Sequence, residues 1–255
     1  MDYLNAIILS IVEGATEFLP ISSTGHLVLA SKVLNIPQTN FIKSFEIFIQ
    51  LGAILAVVFL YWQKLIYNFK LWKNILIAFI PTAIVGLAFY EIIKNYFIGN
   101  LQITLLALFL GGLILIFVDK LLKEKDFDSL EKLTVKQSLL IGLAQSVSVI
   151  PGVSRAAATI IGGQFAGLSK KAALEFSFLL AIPTMFAATG LDVIKSNFNF
   201  SLTEWSYLFI GFIGSFITAL FVIKWFIKFV EKNNFFIFGV YRIILSILFW
   251  FTFLR

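Results

Sequence analysis

Two glutamates lie four residues apart inside an apolar segment near the start of the chain. Glu13 and Glu17 share one face of any helix that contains them, because residues four apart are neighbours on a helix surface. Ionisable side chains in such a segment are costly and usually functional. Two adjacent carboxylates also resist ionising together without a cation or a shared proton. The pair is therefore a candidate for acid–base chemistry or for binding a divalent cation, unless the helix end reaches water and hydrates both groups.

A proline, three hydroxyl residues and the only histidine of the chain follow in the run Pro20-Ile21-Ser22-Ser23-Thr24-Gly25-His26. If a helix restarts here, Ser23 and His26 are neighbours on its first turn. A hydroxyl beside an imidazole is the smallest pair of nucleophile and base, and the free N–H groups of a helix start bind anions. Either residue alone would indicate a capping serine or a packing histidine. Beside two glutamates the cluster favours a nucleophilic site, with Ser22 and Ser23 both open as the nucleophile.

An arginine occupies the matching place in a second apolar segment, within Pro151-Gly152-Val153-Ser154-Arg155. A guanidinium deep in an apolar segment needs a partner, and its planar fork fits phosphate oxygens. The alternative is a structural salt bridge to Glu13, Glu17 or Glu175. Weaker candidates, which would hold these segments in place or line a cavity, are Glu46, Gln50, Gln145, Thr159, Glu175 and Arg242.

Carboxylates, hydroxyls, an imidazole and a guanidinium together suit phosphoryl transfer. Such a site binds an anion, neutralises the charge that develops on it and supplies a nucleophile. Because both segments are apolar, a substrate that reaches them comes from the bilayer. The chemistry therefore predicts a phosphorylated lipid as the substrate.

The elements that carry these residues are those of an all-α membrane protein. Of the 255 residues, 60% are hydrophobic and 13% are charged, about half the charged share of a soluble domain. Six apolar runs are long enough to cross a bilayer, which takes about 20 residues. These six transmembrane helices are predicted at residues 45–62, 75–93, 101–118, 172–191, 206–229 and 235–254.

Two further apolar regions, residues 4–34 and 138–167, are each interrupted by a proline and small polar residues. A helix stops at such a proline, and the serines that follow are good caps for a new one. We therefore predict two re-entrant helical hairpins within one integral membrane domain, 1–255. Each half of the chain, 1–118 and 137–255, would consist of one hairpin and three spans, and the odd number of spans inverts the second half.

Charge and composition orient this arrangement and exclude several classes of function. The lysine-rich segments 62–74, 119–136, 170–171 and 224–232 fall on one predicted side, which the positive-inside rule makes cytoplasmic. The net charge of +6 is explained by these loops, so no nucleic-acid partner is expected. The absence of cysteine excludes disulfides and thiolate sites. No stretch has the charged start, short apolar core and small-residue cleavage site of a secretory signal, and the first helix, interrupted by Glu13 and Glu17, is expected to be part of the mature protein.

The fourteen residues from Glu13 to His26 closely resemble the first signature of the bacterial undecaprenyl-diphosphate phosphatases, the bacitracin-resistance family. Residues 151–155 look like the start of the second signature, with Thr159 at its end. The order, spacing and chain length also fit, so the resemblance covers essentially the whole chain. One departure is Ala156, which stands where the family commonly has serine, so a hydroxyl there is not essential in this protein unless its activity is reduced.

The resemblance implies hydrolysis of undecaprenyl diphosphate to undecaprenyl phosphate, which recycles the lipid carrier for cell-wall synthesis and confers resistance to bacitracin, a competitor for the substrate. It implies a multi-pass protein of the bacterial cytoplasmic (inner) membrane, an active site open to the extracytoplasmic side and a divalent cation, Mg or Ca. Carried over by position, Ser23 is the nucleophile, His26 assists proton transfer and Arg155 grips the diphosphate. Glu13 and Glu17 act as base or metal ligands. Predicted substrate contacts are Ser22, Thr24, Gly25, Gly152, Ser154 and Thr159.

Two other functions compete with this prediction. A polyprenyl-phosphate transporter or flippase would also use inverted repeats with paired hairpins, but it needs an anion grip and no nucleophile. The membrane phosphatases that resemble vanadium haloperoxidases need two histidines, and this chain has one. The sequence leaves the oligomeric state open, with a homodimer as one arrangement.

Overall fold

The computed structural model describes residues 1–97, 100–122, 129–195 and 200–254. Within these residues the regular secondary structure consists of helices, and there are no strands. Six helices are long and apolar enough to cross a membrane, which confirms the six predicted spans. These are α3 (Asn40–Tyr67), α4 (Phe69–Ala88), α6 (Leu101–Leu121), α9 (Lys170–Lys195), α10 (Leu202–Val230) and α11 (Phe236–Phe253). The shorter helices are α1 (Tyr3–Thr16), α2 (Ser23–Val33), α5 (Tyr90–Ile92), α7 (Val135–Ser146) and α8 (Arg155–Phe165).

The boundaries of the second span differ most from the prediction. It was expected at residues 75–93, whereas α4 begins at Phe69 and ends at Ala88. Asn68 sets the start, because its side chain accepts a hydrogen bond from the Leu71 N–H at 3.0 Å and its backbone is not helical. Charged residues in this first turn made the start look like a loop in the sequence. Part of the predicted linker 119–136 lies outside the described residues.

Both proline-containing regions form a helix, a break and a second helix. The first hairpin consists of α1, the break at residues 17–22, and α2; the second consists of α7, the break at residues 147–154, and α8. In each hairpin the two helices pack against one another. Each second helix starts after a serine whose side chain caps it, Ser22 in the first hairpin and Ser154 in the second. Both serines have a left-handed backbone, with φ of 71° and 76°, which is uncommon for a residue with a side chain.

Glycines allow the two hairpins to pack closely against long helices of the other half of the chain. In α1, a Cβ at Gly14 would run into the backbone and side chains of α10 near Ser215. In α7, a Cβ at Gly142 would run into the α4 backbone at Ala78. Small residues allow such close approach of helices in membranes. The helix α3 packs against both α9 and α10, and the breaks of the two hairpins meet in the interior.

Candidate active site

The first break directs a buried carboxylate into the interior. Glu17 follows α1 directly, and its backbone N–H still donates to the Glu13 carbonyl at 2.9 Å. The next residue, Phe18, is fully buried and lies edge-to-face against Phe178 of α9, with ring centroids 5.2 Å apart. This aromatic contact fixes the break against α9 and leaves the Glu17 side chain facing the second hairpin.

Glu17 joins the two hairpins through both of its carboxylate oxygens. Its Oε1 accepts a hydrogen bond from Nη2 of Arg155 at 2.7 Å, and its Oε2 accepts one from the hydroxyl of Ser23. All three side chains are buried. Arg155 Nη1 donates to the Ser177 carbonyl at 2.9 Å, which holds the guanidinium against α9. Of the salt-bridge partners open to Arg155 in the sequence, Glu17 is the one that pairs with it, while Glu175 pairs with Lys64 at 2.6 Å.

Three buried polar atoms beside this cluster have no hydrogen-bond partner among the residues that the structure describes. They are both carboxylate oxygens of Glu13 and the Nε of Arg155. An unpaired buried polar atom costs free energy, about 1–3 kcal/mol and more when it is charged. Such atoms in a native site indicate that a ligand, an ion or water is bound there in the working protein. The cluster therefore offers one unused donor and two unused acceptors.

Arg242 of α11 connects the two breaks through hydrogen bonds to their backbone carbonyls. It is fully buried, and its guanidinium donates five hydrogen bonds, all of them to backbone carbonyls. Two acceptors are in α6, Leu108 and Ala107, one is Pro20 of the first break, and two are Gly152 and Val153 of the second break, at 2.7 to 3.2 Å. Because Arg has five N–H donors, every donor is satisfied. Arg242 is only a weak candidate in the sequence, because no local sequence pattern shows that its hydrogen-bond partners lie in both hairpins.

A cavity of about 780 Å³ opens from the Glu17 cluster. At its inner end it is lined by polar residues of both breaks, including five of the predicted substrate or catalytic residues besides Glu17 and Arg155. Those five are Ser22, Ser23, Thr24, Gly152 and Ser154. From there it extends between α4 and α9 along mainly apolar side chains and reaches Tyr90, just beyond α4, and Ile194 near the end of α9. The cavity thus combines a polar pocket with a long apolar wall.

The structure places His26 away from the Ser23 hydroxyl. Its Nδ1 lies 2.8 Å from the Ser22 carbonyl, which can only accept, so Nδ1 carries the proton. Its Nε2 then accepts from the hydroxyl of Tyr241 at 2.7 Å, and the two rings are stacked with centroids 5.6 Å apart. His26 is not among the residues that line the cavity. The hydroxyl–imidazole pair expected from the spacing of three is therefore replaced by a hydroxyl–carboxylate pair, Ser23 and Glu17.

Three other predicted residues, Glu13, Gly25 and Thr159, also lie outside the cavity lining. The Thr159 hydroxyl donates to the hydroxyl of Ser177 at 2.6 Å and so holds α8 to α9. Gly25 packs against Leu108 of α6. Ala156, the residue that departs from the family pattern, is fully buried and is not among the residues that line the cavity.

Four polar residues lie at the mouth of the cavity, and sequence reasoning missed two of them, Lys43 and Asp192. Lys43, Glu46 and Gln50 line it from one face of α3, and Asp192 lines it from α9. Asp192 accepts a hydrogen bond from Ser44 at 2.9 Å, which connects α9 to α3. The spacing of three and then four residues places Lys43, Glu46 and Gln50 on one face of a helix, but only Glu46 and Gln50 are named from the sequence, as weak candidates. Asp192 had no local signal beyond an acidic residue near the end of a span.

The donor atoms present fit a divalent cation in part. Glu13 supplies two buried oxygens without partners, and carboxylate oxygens are the ligands that Mg²⁺ and Ca²⁺ prefer. Glu17 is already engaged by Arg155 and Ser23. Among the described residues no group of three or more acidic, histidine or cysteine side chains could hold a metal by itself. Glu13 is the residue that would hold a cation here, and the cation would supply positive charge beside the Glu17 cluster.

Comparison with known proteins identifies the family of this chain. Residues 6–248 match the family model described as bacitracin resistance protein BacA. The chain is 53% identical over 250 residues to the undecaprenyl-diphosphatase of Aquifex aeolicus, with 98% of each chain covered. It is 52% identical over 252 residues to the undecaprenyl-diphosphatase of a Sulfurihydrogenibium species, covering 98% of this chain and 99% of that relative. Since the family model spans nearly the whole sequence and the cavity brings both signature segments together, the chain belongs to the bacitracin resistance protein BacA family.

Proposed function

We propose that this protein hydrolyses undecaprenyl diphosphate to undecaprenyl phosphate and inorganic phosphate. The observation that carries the proposal is the contact of Ser23 and Arg155 with the same carboxylate, Glu17, at the inner end of a cavity with a long apolar wall. A hydroxyl nucleophile, a base and a phosphate-binding guanidinium are the parts that phosphoryl transfer needs. Relatives of high identity over nearly the full chain bear the name of this activity. The reaction recycles the lipid carrier of cell-wall synthesis, and it confers resistance because bacitracin competes for the same diphosphate.

The bound diphosphate takes over the guanidinium of Arg155, whose Nε is unpaired without it. The Glu17 carboxylate, released from its ion pair, then accepts the proton of the Ser23 hydroxyl. The Ser23 oxygen attacks the terminal phosphorus in line with the bridging oxygen, and the bond from that phosphorus to the bridging oxygen breaks. Glu17 passes the proton it took from Ser23 to the departing undecaprenyl phosphate, and a phosphoserine forms. Water then attacks the phosphorus of the phosphoserine and gives a proton to Glu17, which is a carboxylate again. The bond from phosphorus to the Ser23 oxygen breaks, Glu17 returns that proton to the Ser23 oxygen, and inorganic phosphate is released.

His26 has a positioning role in this mechanism. Its Nδ1–H donates to the carbonyl of Ser22, the residue that caps α2. The imidazole thus steadies the left-handed turn that aims Ser23 at Glu17. Direct proton transfer by His26, the role implied by the family resemblance, would require its ring to leave Tyr241 and turn into the cavity.

A divalent cation, Mg²⁺ or Ca²⁺, fits beside Glu13. The support for it is the pair of buried carboxylate oxygens of Glu13, for which the described part of the chain offers no hydrogen-bond partner. When bound, the cation would neutralise the negative charge that gathers on the diphosphate during transfer. Glu13 would hold it, and Glu17 would stay free to exchange protons with Ser23.

The two hairpins are proposed to be re-entrant and related by an inverted repeat. In support, α1 of the first half packs on α10 of the second, and α7 of the second half packs on α4 of the first. This reciprocal exchange is what a twofold relation between the halves would produce. The two capping serines share their unusual backbone geometry as well. Irregular backbone at membrane depth is tolerated when it lines a cavity, and both breaks do so.

The active site is proposed to open to the extracytoplasmic side of the bacterial cytoplasmic membrane. The cavity reaches Lys43 at the start of α3 and the ends of α4 and α9. Contacts such as Lys171 with Glu231 at 2.6 Å and Asn68 with Glu131 at 2.5 Å gather the lysine-rich segments at the opposite helix ends. The positive-inside rule places the lysine-rich end in the cytoplasm, so the mouth of the cavity would face outward.

The transporter alternative makes a different prediction for the same residues. A transporter would bind the headgroup through Arg155 and would have no use for a hydroxyl held on a carboxylate. The Ser23–Glu17 contact favours the enzyme.

The test is phosphate release from undecaprenyl diphosphate by the purified protein in detergent, with and without a chelator. Wild type should release phosphate, Glu17→Gln should lose nearly all activity, and the surface variant Lys64→Met should retain it. If wild type binds the diphosphate but releases no phosphate at any divalent cation concentration, the enzyme is excluded and the transporter remains.

A further inference from the structure

Two glycines line the apolar part of the cavity and face open space. A Cβ built on Gly86 of α4 or on Gly190 of α9 would have nothing within 4 Å. Most other helical glycines lie at close approaches. Gly52 of α3 would meet the backbone of Phe212, and Gly211 of α10 would meet Phe45 and Ile49. Gly86 and Gly190 are therefore not needed for helix packing.

These positions belong to two helix pairs that correspond to each other in the two halves. In chain order after the hairpins, α3 corresponds to α9 and α4 to α10, so the pair α3–α10 corresponds to α9–α4. The first pair packs closely along its length through Gly52 and Gly211, whereas α4 and α9 share a smaller contact. The second pair is splayed, and the gap is the apolar part of the cavity.

Small and apolar side chains line the groove between α4 and α9. On α4 it is lined by Phe79, Ala83 and Gly86, and on α9 by Ala188, Gly190 and Leu191. Its inner end is continuous with the pocket of Arg155 and Ser23. A volume of about 780 Å³ lies in the range of sites that enclose an organic molecule, about 300–1,000 Å³. A diphosphate alone would leave most of this cavity empty.

We propose that the groove between α4 and α9 binds the first isoprene units of the substrate's polyprenyl chain, and that Gly86 and Gly190 set its width. A methyl-branched chain is thicker than a straight acyl chain and needs walls without side chains at its narrowest points. The groove lies between two helices long and apolar enough to cross a membrane, α4 and α9, so the rest of the chain continues sideways through the gap between them into the bilayer. This inference rests on the proposed function, because the headgroup must lie at Arg155 for the chain to enter the groove.

The test narrows the groove and compares substrates of different chain length. Gly86→Leu and Gly190→Leu should raise KM for undecaprenyl diphosphate and for farnesyl diphosphate by at least tenfold. Hydrolysis of isopentenyl diphosphate, whose single isoprene unit makes the least contact with the groove, should stay within twofold of wild type. The matched control is Ile84→Phe, which adds bulk to the same helix at an exposed position that does not line the groove, and it should leave all three substrates unaffected.

Two outcomes would overturn the assignment. Unchanged KM for the long substrates would show that the chain leaves the site elsewhere, and an equal loss for all three substrates would show that the glycines act on the headgroup site or on folding. Photolabelling with a benzophenone-bearing farnesyl diphosphate separates this inference from the proposed function. Labels on residues 79–88 and 184–194 would support the groove even in a protein that hydrolyses nothing, and labels confined to other helices would refute it.

Discussion

The two helix breaks share a backbone design and differ in the chemistry they carry. In each, a serine with a left-handed backbone caps the following helix, and the next residue begins it. That next residue is Ser23 in the first hairpin and Arg155 in the second. Both reach the same carboxylate, Glu17. One scaffold used twice therefore places a nucleophile and a cation opposite each other, and the side chain alone decides which role each break has.

A second pair of matching positions extends this comparison. Glu13 lies nine residues before Ser22, and Gln145 lies nine residues before Ser154. The Gln145 amide is satisfied by Thr82 at 2.8 Å and Thr184 at 3.2 Å, whereas the Glu13 oxygens have no partner among the described residues. At this position the second hairpin thus forms neutral hydrogen bonds, while the first leaves a carboxylate available to a ligand.

Removing the nucleophile should have the largest effect. Ser23→Ala should lower kcat by about 10⁴-fold or more, because loss of a nucleophile leaves only binding and charge stabilisation. Phosphoenzyme trapped by acid quench from radiolabelled substrate should disappear with it. Ser22→Gly is the control, since glycine tolerates the left-handed backbone, and it should keep the phosphoenzyme. A phosphoenzyme that persists in Ser23→Ala and vanishes in Ser22→Gly would assign the nucleophile to Ser22.

Replacing the guanidinium of Arg155, the first residue of α8, should have the next largest effect. Arg155→Lys should lower kcat/KM by about 10²- to 10³-fold, because a point charge lacks the planar fork that can bind a phosphate while it also donates to the Ser177 carbonyl. The inhibition constant of inorganic phosphate measures the loss of phosphate binding, and Lys64→Met is the surface control. A lysine variant with full activity would mean that the fork geometry contributes nothing.

Breaking the link between the two hairpins should reduce stability and activity together. Arg242→Met removes five hydrogen bonds to backbone carbonyls of α6 and of both breaks, so we expect a loss of about 3–5 kcal/mol of unfolding free energy. Activity should fall about tenfold because Pro20 and Gly152 lose their common anchor. Thermal unfolding in detergent measures the first effect. Tyr241→Phe, on the adjacent residue, is the control for stability, and an equal loss there would remove the special role of Arg242.

The smallest effect is expected from making the first hairpin resemble the second. Glu13→Gln should lower kcat about tenfold and should shift the divalent cation requirement to higher concentration, because one charged ligand is lost. A titration of activity against Mg²⁺ and Ca²⁺ measures this shift. If the titration curve is unchanged, Glu13 does not hold the cation.

Local patterns in the sequence were sufficient for the elements and for the identity of the two breaks. Apolar runs of spanning length predicted six helices, and each was found, because backbone satisfaction in a membrane demands helices. Proline followed by serine predicted both breaks, because proline stops a helix and serine caps the next one. Spacing was less reliable for contacts. A separation of three residues predicted that Ser23 would meet His26, yet the left-handed turn at Ser22 directs the two side chains to different neighbours.

By itself, the sequence determined the class of protein, its helical segments and which residue types would do chemistry, since these depend on composition and on neighbours within about one helical turn. The tertiary structure alone decided which of these groups meet. Glu17 and Arg155 are 138 residues apart, and His26 and Tyr241 are 215 residues apart. The same holds for the two glycines that face the groove, which no local pattern distinguishes from the glycines at tight helix contacts. Such contacts arise from how the helices pack across the two halves, and helix packing depends on the summed shape of distant side chains.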